Sequence, residues 1–245
     1  MSRKSELNYL YKKNLKETKA KIKDAVNEEH LIIQSINCLN ELGRNSNVLC
    51  KRLREWYGHY TPEVVHYILD NQQFVQQVLL KKKEKLLKEL GVEGSMGFDF
   101  SNKDVEQMLE LARLVDNMFK LIESQKGYLE KKMSAVCPNV FELTGALVGA
   151  QLLEHAGSLK NLASMTASKI QLLGAEKALF RHLRTGARSP KHGLLIQHPY
   201  VAQAKQKGKA ARHLADKIAI AARVDYFKGE FVGQKLRQQL ETMQH

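Results

Sequence analysis

Between Val105 and Val136, apolar residues recur at Val105, Met108, Ala112, Val115, Phe119, Ile122, Leu129, Met133 and Val136, with Lys126 in the one place where the pattern expects another. The alternation of three- and four-residue steps is a heptad seam, which predicts a long helix lying along a second helix. That second helix is read upstream, where Ile32, Ile36, Leu39, Cys50, Leu53 and Tyr57 keep a similar register through a polar patch at 43–47. A further helix is expected from about Pro62 to Leu90, ending in the charged run LLKKKEKLLKEL. GVEGSMGFDFSN at 91–102 then reads as a turn, with three glycines and with Ser101 or Asn102 placed to cap the next helix. Long helices joined by such a tip form an antiparallel coiled-coil hairpin. An ordinary helical core is the plainer alternative, and the strict alternation argues against it.

The prolines stand at 62, 138, 190 and 199, so the first half of the chain is almost free of the strongest helix breaker. Beyond Pro138 the texture changes: Gly145, Gly149, Gly157, Gly174, Gly186, Gly193 and Gly208 punctuate shorter helical patterns. The pattern therefore predicts an all-α chain in two parts. Residues 1–140 form a helical coiled-coil dimerisation region, and residues 141–245 a compact helical C-terminal domain.

Charge separates the two parts further. The 39 basic and 26 acidic residues give a formal charge of +13 and a pI near 9.6. From Gln151 onward sixteen Lys and Arg face six Asp and Glu, so +10 of the +13 lies in the C-terminal part. Such a bias points to a polyanion, with nucleic acid the leading partner and an anionic membrane the second. Cys38, Cys50 and Cys137 are too few and too widely spaced for a disulfide framework or a zinc site. The N-terminus MSRKSELNYLYKKN has no apolar leader-like core, and no apolar run approaches a membrane span, so the chain reads as cytosolic and soluble, without a membrane partner.

On a helix over 175–184, Lys177, Arg181 and Arg184 share an arc of about 60°, while Leu179, Phe180 and Leu183 turn the other way. Like charges one turn apart repel, so the arrangement is costly unless a polyanion faces it. On a second helix over 207–225, Lys209, Arg212, Lys217 and Arg223 lie on one side, with Asp216 among them as a local pair for Arg212 or Lys209. Ala211, Leu214, Ile218, Ala221 and Ala222 lie opposite. Between the helices, Arg188, Lys191, His192, Gln197 and His198 are placed to meet phosphates, and either His192 or His198 to stack on an unpaired base. A mobile basic loop is the plainer reading of that segment.

Catalysis finds little support. Glu176 is the single acid between Gly174 and Arg212 and suits the first turn of its helix. No GxSxG, GxxxxGK[ST] or HExxH occurs, and GVEGSMG has neither a preceding strand nor a following Lys-Ser/Thr. The reading is non-enzymatic, without metal or cofactor.

HAGSLKNLASMTASKIQLLGAEKALFRHLRTGARSPKHGLLIQHP at 155–199, GKAARHLADKIAIAARVD at 208–225 and RLREWYGHYTPEVV at 52–65 resemble the Nop domain family. This family supplies core scaffold proteins of box C/D guide ribonucleoproteins and a related spliceosomal factor, and GAEKALF is nearer the scaffolds, of archaeal type. The resemblance implies a C-terminal domain that binds a kink-turn guide RNA already holding a small kink-turn-binding ribosomal-protein homologue. It implies RNA-binding roles for Lys177, Arg181, Arg184, Arg188, Lys191, His192, Gln197, Lys209, Arg212 and Arg223, and pairing with itself or a paralogue through the coiled coil. Family scaffolds also carry an N-terminal α/β domain that recruits fibrillarin, whereas Met1 here stands almost at the first coiled-coil helix, which puts fibrillarin recruitment in doubt. The location expected is cytoplasmic in an archaeal-type cell and nucleolar in a eukaryote. A coiled-coil adaptor with nonspecific RNA affinity and a splicing-factor-like Nop protein remain alternatives.

Overall fold

The computed structural model describes residues 3–242, and all regular structure among them is helical. In order these are α1 (Arg3–Ala25), α2 (Glu28–Tyr60), α3 (Pro62–Tyr67), α4 (Asn71–Leu80), α5 (Lys83–Glu89), α6 (Asn102–Val136), α7 (Pro138–Ala156), α8 (Leu159–Ser164), α9 (Ala167–Leu172) and α10 (Glu176–Thr185). A 3₁₀ turn at Leu194–Gln197 then precedes α11 (Pro199–Ala202), α12 (Lys207–Tyr226) and α13 (Gly233–Thr242). The all-α expectation with two long helices holds. The chain divides into two compact units, one of residues 37–128 and one of residues 1–36 with 129–245, so α2 and α6 each contribute to both.

In the unit of residues 37–128, Cys50, Leu53 and Tyr57 of α2 and Met108, Ala112 and Val115 of α6 are buried in one cluster with Phe74, Val75 and Val78 of α4. These are the seam positions read from the sequence. Ser101 caps α6, its Oγ accepting from the Asp104 N–H and donating to that residue's carboxylate. The tip folds back on the end of α2. Glu63 accepts from Ser95 Oγ and the Met96 N–H, Phe98 N–H donates to the His59 carbonyl, and Tyr60 stacks on Phe100.

One expectation fails here: the single helix from Pro62 to Leu90 is three short ones. Ile68 and Asp70 are extended, as are Lys81 and Lys82. Asp70 prefers capping to continuing a helix, and its carboxylate accepts from the Gln73 N–H at 2.7 Å. Arg54 gathers the carbonyls around the first break. Its guanidinium donates to the carbonyls of Val65, Ile68, Leu69 and Asp70 and to Asn71 Oδ1, all at 2.7–3.2 Å, and lies over the Phe74 ring. A fork of five donors suits this task and an ammonium does not. Arg54→Ala is expected to cost this unit about 2 kcal/mol, and Arg54→Lys nearly as much, in denaturant unfolding followed by the fluorescence of the chain's one tryptophan, Trp56.

In the other unit, α12 is the central element, burying Ala211, Leu214, Ala215, Ile218, Ala221 and Ala222 among α7, α8 and α9. The N-terminus of α7 follows Cys137, which makes no side-chain cap. Asp225 supplies the cap from α12: its carboxylate accepts from the N–H groups of Asn139 and Val140 and from Asn139 Nδ2, while Asn139 Oδ1 accepts from the Val232 N–H. Burial pushes the Asp225 carboxyl up from its ordinary value, against the pull of those donors. Gly145 breaks α7 with φ 69° and ψ 177°, a conformation only glycine adopts readily.

Candidate nucleic-acid interface

Helix α10 begins at a tight turn. Gly174 has φ 81°, a Cβ there would fall 2.6 Å from Leu194 Cγ, and Glu176 Oε1 accepts from the Gly174 N–H at 2.7 Å. Glu176 is thus spent on the entrance to its helix. Gly186, with φ 67°, closes the other end by donating to the His182 carbonyl, and the His182 ring bonds the Ala187 carbonyl. Between these ends no residue of α10 is buried. Lys177, Arg181 and Arg184 stand in solvent on the shared edge expected of them. The apolar side stands in solvent as well, with Phe180 62% and Leu183 69% exposed. A helix that carries two distinct chemistries and buries none of its residues is shaped to meet something else.

Beyond α10, the loop after Gly186 meets the start of α12 in an open cleft of about 840 Å³. Lys191 and His192 line one side, Lys205, Lys207, Lys209 and Arg212 the other, and Gln171 the floor. Gln171 of α9 is buried, and its amide Nε2 donates to the Lys191 carbonyl at 2.6 Å and reaches that of Gly208 at 3.4 Å. The loop is fastened again where Gly193 donates to the Gln171 carbonyl and Leu194 to that of Leu173. A side chain at Gly193 has no room, because its Cβ would lie 1.9 Å from the Leu173 carbonyl oxygen. No carboxylate lines the cleft, so its cations add rather than cancel.

The residues expected to bind RNA therefore fall into groups. Lys177, Arg181 and Arg184 lie along α10, and Lys191, His192, Lys209 and Arg212 converge on the cleft. Arg188 and Gln197 are exposed but do not line the cleft. Arg223 is exposed and donates to the Ala163 carbonyl, which fixes its guanidinium to the end of α8. Lys217, placed on the cationic side by helical geometry, is buried and donates to Gln239 Oε1, because α13 covers that part of α12. Asp216 makes no ion pair with Lys209 or Arg212. His198 caps α11 by accepting from the Tyr200 N–H, and burial lowers its pKa, so it is a structural group. Gln171, Lys205 and Lys207 also line the cleft, beyond the residues expected from the sequence. The run KQKGK signalled the lysines, and nothing in the sequence signalled Gln171.

Comparison with known proteins decides the family. The Nop family model, described as snoRNA binding domain, fibrillarin, matches residues 38–244. The chain belongs to the Nop family. Nucleolar protein 56 of Homo sapiens is 40% identical over 250 residues, covering 91% of this chain and 42% of that protein. An uncharacterised NOP5 family protein of Methanocaldococcus jannaschii is 36% identical over 242 residues, covering 91% of this chain and 58% of the other. The chain thus spans about half the length of these Nop relatives. A chain in the crystal structure of a fibrillarin/Nop5p complex superposes with a TM-score of 0.57 at 26% identity, covering 98% of this chain and 80% of that one. The cleft and α10 both lie inside the matched Nop segment. No helix among the described residues is long and apolar enough to cross a membrane, and none of their His, Cys, Asp and Glu form a group of three or more able to hold a metal.

Proposed function

We propose that this chain is a non-enzymatic scaffold of a box C/D-like ribonucleoprotein, gripping a kink-turn guide RNA together with the small ribosomal-protein-like protein bound to it. The observation that carries this reading is the double surface of α10. Lys177, Arg181 and Arg184 offer charge to phosphates, and the exposed Phe180 and Leu183 offer apolar area that phosphates cannot use. An RNA–protein composite satisfies both. The cationic cleft supplies the second hold on the RNA backbone, through Lys191, His192, Lys209 and Arg212.

Self-association or pairing with a paralogue is assigned to the unit of residues 37–128. Tyr67, Leu69, Leu80, Met96 and Phe98 are exposed there, a concentration of large apolar side chains suited to an interface.

The deciding experiment is a gel shift on a kink-turn RNA with and without the small partner. Binding is expected to be much tighter with the partner and to fall steeply with salt. Arg181→Glu is expected to weaken it by about 2 kcal/mol, some thirtyfold, whereas Lys88→Glu leaves it unchanged. Equal affinity for any duplex, with or without the partner, removes the composite reading in favour of an adaptor with nonspecific RNA affinity.

A further inference from the structure

Helix α1 lies outside the matched segment and takes no part in the surfaces described so far. It runs from Arg3 to Ala25, and every residue from Glu6 to Lys23 is exposed. Its sequence is nevertheless patterned. Counting about 100° per residue, Leu7, Thr18, Tyr11, Ile22 and Leu15 fall within about 80° of one another, a stripe along most of the helix. Leu7 is 60% and Ile22 62% exposed. On the adjoining arc of about 120° stand Lys19, Lys12, Lys23, Lys16 and Lys13, with Tyr9 and Ala20 falling between the last two, while the far side of the stripe holds Leu10, Asn14 and Lys21. The surface is thus lopsided, apolar with a lysine bank along one edge.

Both features are exposed and unpartnered among the described residues, and each is unfavourable in water. An isolated helix draws most of its stability from packing an amphipathic face, and lysines at positions 12, 16, 19 and 23 repel one another along the helix. A second copy of the helix lying antiparallel would bury the stripe but set another lysine bank beside the first, and one lying parallel would set the bank against Leu10, Asn14 and Lys21, none of them a carboxylate. A nucleic acid would satisfy the lysines and leave the stripe in water. An anionic membrane would meet both charges and apolar groups, but it takes a broader apolar face than a seam of about 80° that includes Thr18. A protein surface that is apolar in the middle and acidic along one rim fits the seam and the lysines together. We propose that α1 is a docking helix, laid through Leu7, Tyr11, Leu15 and Ile22 into an apolar groove of a partner protein whose carboxylates face Lys12, Lys16, Lys19 and Lys23. This site is separate from the RNA grip and stands whether or not that grip is correct.

The test uses the whole chain and a synthetic amphipathic helix with leucine at its a and d positions and glutamate at e and g, followed by fluorescence anisotropy. The acidic peptide is expected to bind, and a peptide with lysine at e and g is not. Leu15→Asn with Ile22→Asn should weaken binding at least about tenfold. Replacing Lys12, Lys16, Lys19 and Lys23 by Gln should weaken it about as much and flatten its salt dependence. Unfolding of both variants should match the parent when followed at Trp56, which reports the unit of residues 37–128, and by circular dichroism, which reports the helices of both units. Absence of peptide binding, or binding that neither variant weakens, overturns the proposal. Weaker capture of duplex RNA by the lysine variant, with peptide binding unchanged, also overturns it and makes α1 a nucleic-acid arm.

Discussion

Asp225→Ala is expected to destabilise the unit built around α12 by about 4 kcal/mol, because three donors lose their acceptor inside the fold. Asp225 is buried, and its two oxygens take the first two available N–H groups of α7 together with the side-chain amide of Asn139. No solvent replaces them at Asn139, which is buried too. The loss spreads because Asn139 Oδ1 in turn holds the Val232 N–H, which positions the start of α13. Asp225→Asn should fall between: its oxygen still serves Asn139, but its NH₂ meets the Val140 N–H as donor against donor. Thermal unfolding by circular dichroism gives the ranking, and amide exchange over residues 139–144 should quicken in the same order. Equal stability of all three proteins would show that α7 does not depend on this cap.

Gly193→Ala is expected to cost about 3 kcal/mol and to loosen the cleft. The atom a methyl would strike is the backbone carbonyl oxygen of Leu173, 1.9 Å away, and the next contacts are the carbonyl carbons of Leu173 and Leu172. Backbone on both sides cannot yield by a rotamer change, so the loop must lift. Lifting it breaks the bonds from Gly193 to Gln171 and from Leu194 to Leu173, and carries Lys191 away from the lysines of α12. Stability and affinity for kink-turn RNA should therefore fall together in this variant. Arg181→Glu, by contrast, should lower affinity alone, since Arg181 is exposed and its side chain holds nothing in the fold.

The heptad seam was legible because burial repeats with the helix, and Met108, Ala112, Val115, Leu129 and Met133 are fully buried where the spacing put them. The break between α3 and α4 was not legible from periodicity. Val64, Ile68 and Val75 keep helical spacing across it, and the conformation is decided by Arg54, distant in sequence, gathering carbonyls that a continuous helix would have used internally. The cations of α10 could be read from angle alone, since an exposed edge depends only on local geometry. Whether the opposite edge is covered depends on what the rest of the chain brings to it, and it leaves most of Phe180 and Leu183 in solvent. Lys217 errs the other way, for α13 arrives to cover it. Gln171 carries no charge and sits in no motif, so its place at the floor of the cleft is visible only once the loop and α12 have been brought together.

That neutral floor shapes how the interface lets go. Had a carboxylate held Lys191 and Gly208 in place, rising ionic strength would have slackened the scaffold and the grip at once, and a negative charge would have stood under the incoming phosphates. An amide bonded to carbonyls is nearly indifferent to salt. If the cleft holds RNA as proposed, counterions would therefore displace the strand while the walls keep their spacing, and lowering the salt would offer the next strand the same cleft with no refolding in between.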